Sequence, residues 1–217
     1  MRYLKKFATE AEIDVDVEPN VVLVSESNRI FYNVKKGVFI QHIDGSLYTI
    51  EDWSAKGFAN DVANGVAVCD PSASFVIAKN SGGSNIVWSS NKTDIIEGVT
   101  VAGDGITARA DFAGKANTDK IAAFDTNSAA AICKRFTFPN GANGYLPSLG
   151  EWSVAYQYKS EIKSAMSLIG GASIHEDYMW SSTQIDAARV WVIGWYNGSA
   201  TVTTKSFTKY LWVFTTL

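Results

Sequence analysis

Few residues in this chain could do covalent chemistry, and none stands at a spacing that performs it. The two histidines, His42 and His175, are far apart, and neither has a serine or cysteine nucleophile motif beside it. Glu176-Asp177 next to His175 could bind a metal or share a proton, but a solvated loop ahead of a Tyr178-Met179-Trp180 strand explains them more simply. Cys69 and Cys133 have no metal-ligand spacing and read as two separate buried thiols, with a disulfide as the alternative. Gly103-Asp104-Gly105 lacks the third glycine and the following helix that a phosphate loop needs. No catalytic residue, no metal and no cofactor is expected, which leaves binding as the expected activity.

The bulk composition agrees with a binding protein. At 217 residues the chain fits one large domain, or one domain with a short appendage. Apolar content of 47% against 19% charged leaves ample core, and seven Trp, nine Tyr and eleven Phe supply both packing and contact surface. A net charge of −3 argues against nucleic acid as a partner, which would require a basic face. No apolar run reaches the ~20 residues that span a bilayer, so no membrane insertion is expected. The N-terminal Met1-Arg2-Tyr3-Leu4-Lys5-Lys6-Phe7 has cations but no apolar stretch behind them and is not read as a secretory signal.

Residues 1–35 read as a β-rich attachment or oligomerisation segment. Glu12-Ile13-Asp14-Val15-Asp16-Val17-Glu18 alternates apolar and acidic residues as a half-buried strand does, and further strands are expected at 21–24 and 29–34. From residue 37 short strands and turns follow closely: 38–40, a turn at Asp44-Gly45, then 47–50, 65–69, 74–78 and 86–88. Helices are expected at 127–136, after a short helical turn at 117–124, and from Ser148 to the Gly170-Gly171 stop. The second is the better marked, with Ser148 and Glu151 spaced as a capping box. Helices followed by a run of strands make an α+β pattern.

In a strand of that C-terminal run Trp191, Ile193 and Trp195 share one face, which should be core, and Val192, Gly194 and Tyr196 share the other, which is expected to face solvent. Asn197-Gly198 then turns the chain into a Thr-rich hairpin.

The ordered set Gly37 to Ile50, Gly65-Val66-Ala67-Val68, Ser128-Ala129-Ala130-Ala131-Ile132-Cys133, Tyr145-Leu146-Pro147-Ser148-Leu149-Gly150-Glu151-Trp152 and Trp180-Ser181-Ser182-Thr183, closed by a final strand, resembles the C-type lectin fold. The form it resembles is that of variable proteins from diversity-generating retroelements, covering about residues 36–217. That resemblance implies two helices packed on short antiparallel sheets and a variable ligand-binding region at about 180–212. Trp191, Trp195, Gly198 and Lys205 match the family's fixed points. The positions that match its variable ones are Ile185, Asp186, Ala187 and Arg189 in one loop. In the strand and hairpin they are Val192, Gly194, Tyr196, Asn197, Ser199, Thr201, Thr203, Thr204, Ser206, Phe207 and Thr208. Near the end, where the family has Val-Arg-Pro-Phe, this chain reads Leu211-Trp212-Val213-Phe214.

The expected function is that of a receptor-binding protein on a phage tail or bacterial surface. It would bind a protein or glycan receptor on a target cell and act as a homo-oligomer, a trimer by resemblance. Tyr196 and Phe207 would be the aromatic anchors, with Asp186 and Arg189 supplying charge. Two rival readings remain. One is a structural virion or surface protein whose lectin-like domain packs against neighbours. The other is an enzyme of the formylglycine-generating type, which uses paired cysteines near the C-terminal end, whereas Cys69 and Cys133 lie upstream. Glu18-Pro19-Asn20 matches the tripeptide with which calcium-dependent lectins hold calcium and sugar, but it lies far from the place that site occupies.

Overall fold

The computed structural model describes residues 5–7, 20–25 and 30–217. The alternating run at 12–18 lies outside the described residues, as do Glu18 and Pro19. Strands β1 (Lys5–Phe7), β2 (Asn20–Ser25) and β3 (Ile30–Lys35) form an antiparallel sheet in the order β1-β3-β2.

From Gly37 the chain alternates sheet and helix. β4 (Gly37–His42), β5 (Leu47–Tyr48), α1 (Ile50–Lys56), β6 (Ala63–Cys69), β7 (Ser74–Ala78) and β8 (Gly83–Val87) come first. Five helices follow: α2 (Gly105–Arg109), α3 (Gly114–Phe124), α4 (Ala129–Arg135), α5 (Leu149–Gln157) and α6 (Lys159–Leu168). The chain closes with β9 (Tyr178–Gln184), β10 (Arg189–Gly194), β11 (Ala200–Thr204), β12 (Thr208–Leu211) and β13 (Phe214–Thr216). One five-stranded sheet runs β13-β7-β6-β4-β5 and a second runs β11-β10-β9-β12-β8. Both are mainly antiparallel, with β12 parallel to β9 where Tyr210 meets Met179. The architecture is α+β, with six α-helices among the described residues rather than the two expected.

Local sequence explains most of the elements. Ser148 and Glu151 form the expected capping box, in which the Ser148 N–H donates to Glu151 Oε2 at 2.7 Å. The strand expected at 47–50 stops at Tyr48, because Thr49 Oγ1 accepts from the Asp52 N–H at 3.0 Å and starts α1. Asp104 likewise caps α2 through the N–H groups of Ile106 and Thr107, so a short helix does follow Gly103-Asp104-Gly105. The single long helix expected after Ser148 is broken at Tyr158, whose hydroxyl donates to Asp70 at 2.6 Å on the β6–β7 turn. The break turns Ile162, Ala165 and Met166 of α6 into the core.

Two cores result, one on each face of the strands. Ile40, Val66, Val68, Phe75 and Ile77 point into the first core, while Phe39, Ala67, Cys69, Val76 and Ala78 point into the second. Cys69 and Cys133 are both free, buried in the second core, as the two-thiol reading expects. Burial pushes the Cys69 thiol up to about 12, and that of Cys133 higher still.

A buried polar cluster ties the helices to β9. Asp111 accepts from Thr183 Oγ1 at 2.6 Å, Asn117 Nδ2 at 3.0 Å and Thr100 Oγ1 at 3.1 Å. Its backbone carbonyl accepts from the Gly150 N–H at 3.0 Å and from Ser148 Oγ at 2.6 Å. Glu151 lies beside this hub and accepts from the Tyr145 hydroxyl at 3.0 Å. Burial, reinforced by the charge of Asp111, raises its carboxyl from 4.5 to about 7 against the pull of its hydrogen bonds. Between those two pH values the folded chain holds a proton that the unfolded chain has released. Stability therefore falls as pH rises through this window, by up to ~3 kcal/mol. Replacing Glu151→Gln keeps an acceptor for the cap and removes the titration. Urea unfolding at about pH 5 and about pH 8 should show a lower midpoint at the higher pH for the native chain, and a much smaller difference for the variant.

Candidate ligand-binding site

The sequence-predicted positions divide into a buried set and a displayed set. Val192 is only 1% exposed and belongs to the second core together with Trp180 and Val190, which corrects the expectation that its side chain faces outward. The reason is visible in Val190-Trp191-Val192-Ile193: four consecutive apolar residues mark a strand buried on both faces. Gly194 is also buried. A Cβ there would approach Asn197 Oδ1 to 2.8 Å, Tyr196 to 3.0 Å and Ser199 Oγ to 3.1 Å, so a larger residue would displace these three side chains of the turn.

That turn is held from behind. The Gly198 N–H donates to the Gly194 carbonyl at 2.7 Å, and Arg109 of α2 donates to the Gly198 carbonyl at 2.7 Å and to Ser153 Oγ of α5 at 2.7 Å. Gly198 has φ +71° and leaves room for the Tyr156 ring, which a Cβ would meet at 2.4 Å. Tyr196 and Asn197 project from this fixed base, and Asn197 Oδ1 accepts from the Ser199 N–H.

The β9–β10 turn carries Ile185, Asp186, Ala187 and Arg189. Ile185 packs against the first core. Asp186 forms a two-pronged ion pair with Arg189, at 2.7 Å from Nε and 2.6 Å from Nη2, and also accepts from the Ala188 and Arg189 N–H groups. Bonding to Arg189 holds the Asp186 carboxyl below its usual value. The two charges expected to face a partner thus face each other. Thr204 pairs with Arg189 across the strands, and its hydroxyl lies 3.0 Å from that of Ser206. Thr201 and Thr203 lie half-buried on the edge strand β11, opposite Val192 and Val190. Thr208 is exposed where β12 meets Val87 of β8.

Lys205 lies at the centre of this region and is wholly buried. Its ammonium donates to the Asp94 carbonyl at 2.7 Å and to Gln184 Oε1 at 3.2 Å, and lies 5.0 Å from the centre of the Trp88 ring. Burial lowers its pKa, opposed by the negative charges of Asp186 and Asp94. Its role here is to hold the loops together.

Two further residues, Tyr178 and Lys209, belong to the same surface. The Tyr178 and Tyr196 hydroxyls are 2.8 Å apart, with the rings edge to face at 5.6 Å. Lys209 Nζ lies 5.6 Å from the Tyr178 ring centre and 5.8 Å from that of Phe207. Tyr196, 46% exposed, and Phe207, 58% exposed, are thereby joined through Tyr178 and Lys209 into one aromatic and cationic row. Period-two alternation puts Tyr178 on the same face as the buried Trp180, so it gave no sign that this ring reaches the surface at the open end of β9, and nothing in the sequence pointed to Lys209.

Among the described residues, no three His, Cys, Asp or Glu side chains gather as a metal site would require. No helix among them is long and apolar enough to cross a membrane.

No protein family and no curated protein matches the chain in sequence. In structure it is similar to the crystal structure of a fimbrial protein from Bacteroides ovatus ATCC 8483, with a TM-score of 0.63 and 13% identity. The likeness covers 85% of this chain and 49% of the other, so the chain spans about half the length of that protein. At this identity the likeness speaks to the fold alone.

The division into frame and display is measurable. Tyr196→Ala with Phe207→Ala should change unfolding free energy by less than ~1 kcal/mol, as expected of exposed positions. Val192→Ala should cost ~2 kcal/mol, the usual penalty for emptying part of a packed core. Thermal melts of the two variants side by side decide this.

Proposed function

We propose that this chain is a ligand-binding module of a surface-displayed receptor-binding protein, and that its scaffold is a C-type lectin fold. The module binds without a catalytic step. The observation that carries this reading is the row Tyr196–Tyr178–Lys209–Phe207: large side chains left at the surface beside a frame that buries the indoles of Trp180, Trp191 and Trp195. Aromatic residues on a rigid base give much contact area at low conformational cost, which is why they dominate interface energies. The α+β architecture and the order of sequence motifs support the lectin-like scaffold. Fold likeness to a protein named as fimbrial supports display on an appendage or cell surface, with a phage tail as the other platform. The ligand is a protein or glycan receptor on a target cell.

Retroelement diversification belongs to the same reading, narrowed to the displayed positions. Val192 and Gly194 are held by the frame, and the Asp186–Arg189 pair is internal. The positions free to vary are then Tyr196, Asn197, Ser199, Thr201, Thr203, Thr204, Ser206, Phe207 and Thr208, together with Ala187 at the turn. Display as a homo-oligomer, a trimer by resemblance, would raise weak single-site binding through avidity.

Labelled protein applied to candidate target cells or receptor arrays should bind, and the Tyr196→Ala, Phe207→Ala double variant should bind at least about tenfold more weakly. Equal binding by the two would remove the aromatic row from the site. Sequencing sibling copies of the gene and its surroundings tests diversification. A reverse transcriptase gene and variation concentrated at the displayed positions are expected, whereas even variation across the whole chain would leave a structural subunit as the better account.

A further inference from the structure

A cleft of about 210 Å³ opens between α6, the loop that follows it and Trp195. Its base is made by four buried side chains, Ile162, Met166, Ile174 and Trp195. Lys163, Ser167 and Ser173 are exposed around its mouth, together with Glu176.

The loop is tied at both ends, which keeps the cleft open. At its start Gly171 donates to the Met166 carbonyl at 2.8 Å and Ala172 to the Lys79 carbonyl at 2.8 Å. At its end the Trp195 N–H donates to the Asp177 carbonyl at 2.8 Å. Lys159 adds a clamp, donating to the Trp195 carbonyl at 2.7 Å while its ammonium pairs with the Glu176 carboxylate. A loop anchored at two points cannot collapse onto the apolar side chains beneath it, so the space is formed before any ligand arrives.

Size and charge together define the occupant. An apolar cavity of ~150 Å³ holds benzene, so this one has room for a single substituted ring and little more. Lys159 is neutralised by Glu176, but Lys163 has no ion pair among the described residues, which leaves the lining with one unmatched positive charge. The Ser167 and Ser173 hydroxyls have no hydrogen-bond partner among the described residues either. An ammonium and two hydroxyls at the rim of an apolar base call for an acceptor-rich anion attached to an apolar ring.

We infer that this cleft binds a single aromatic ring carrying a carboxylate, as found in an arylacetic acid or in the C-terminal phenylalanine of a peptide. The ring lies on Met166, Ile162 and Trp195, and the carboxylate faces Lys163 with hydroxyl support from Ser167 and Ser173. This assignment does not depend on the displayed row, and either can fail without the other.

Methyl NMR of the full chain, labelled on methionine, provides the test. The chain has three methionines, so the Met166 signal is identified by its loss in Met166→Leu. Titration with phenylacetate should shift that signal saturably, with a Kd of about 1 mM or tighter. Lys163→Gln should weaken binding about fivefold or more, and benzyl alcohol, which keeps the ring without the charge, should bind the native chain with a similar deficit. Ser173→Trp, at an exposed position that blocks the mouth without touching the core, should abolish the shift. A peptide ending in free phenylalanine, compared with its amide, tells a protein terminus from a free acid as the source. No saturable shift of Met166 with either carboxylate up to about 10 mM would overturn the assignment. So would full binding by Lys163→Gln or by the folded Ser173→Trp variant.

Discussion

An indole N–H buried away from water must find an acceptor, and in this protein that requirement holds the second sheet together. Strand β9 is irregularly paired: its register with β10 shifts between Val190 and Val192, and β12 meets it only at Met179. Two of its carbonyls take indole donors instead, Ser181 from Trp88 at 2.8 Å and Trp180 from Trp152 at 2.9 Å. Trp180 in turn donates to Ile86 of β8 at 2.7 Å, Trp191 to Ala102 at 2.9 Å and Trp212 to Ala78 at 2.9 Å. Each link joins elements distant in sequence. Losing one would leave a buried carbonyl unsatisfied, at ~1–3 kcal/mol, besides the packing of the ring.

The same arrangement confines where the surface is free to differ. With β10 buried on both faces, its side chains belong to the frame, and freedom remains only at the turns, along the edge strand β11 and in the row through Lys209. The turns are themselves anchored by backbone bonds, by Arg109 beneath Gly198 and by Lys205 beneath the β9–β10 turn. A substitution at Tyr196 or Phe207 therefore changes what is displayed and leaves the frame unaltered.

Elements with strong local chemistry were legible in the sequence. The capping box at Ser148 and Glu151, the strands 65–69 and 74–78, the Asp44-Gly45 turn and the two separate thiols all appear as read. Readings failed where a long-range contact decided the outcome. The helix break at Tyr158 depends on Asp70, 88 positions away, and no local pattern announces it. The outward face given to Val192 came from weighing Trp191, Ile193 and Trp195 as a period of two, when the aliphatic residues between them carried the opposite message. Asp186 and Arg189 were read as charges for a partner because sequence shows charge but not whether a turn closes it on itself. Lys209 was invisible for a related reason: its part in the row depends on two rings, Tyr178 and Phe207, that only the fold brings to it.

The depth at which Cys69 and Cys133 lie has a further consequence. A thiol that stays protonated through the whole physiological range neither attacks a neighbouring disulfide nor offers a thiolate to peroxide. Neither cysteine forms a disulfide, so packed rings rather than covalent staples carry the integrity of the fold.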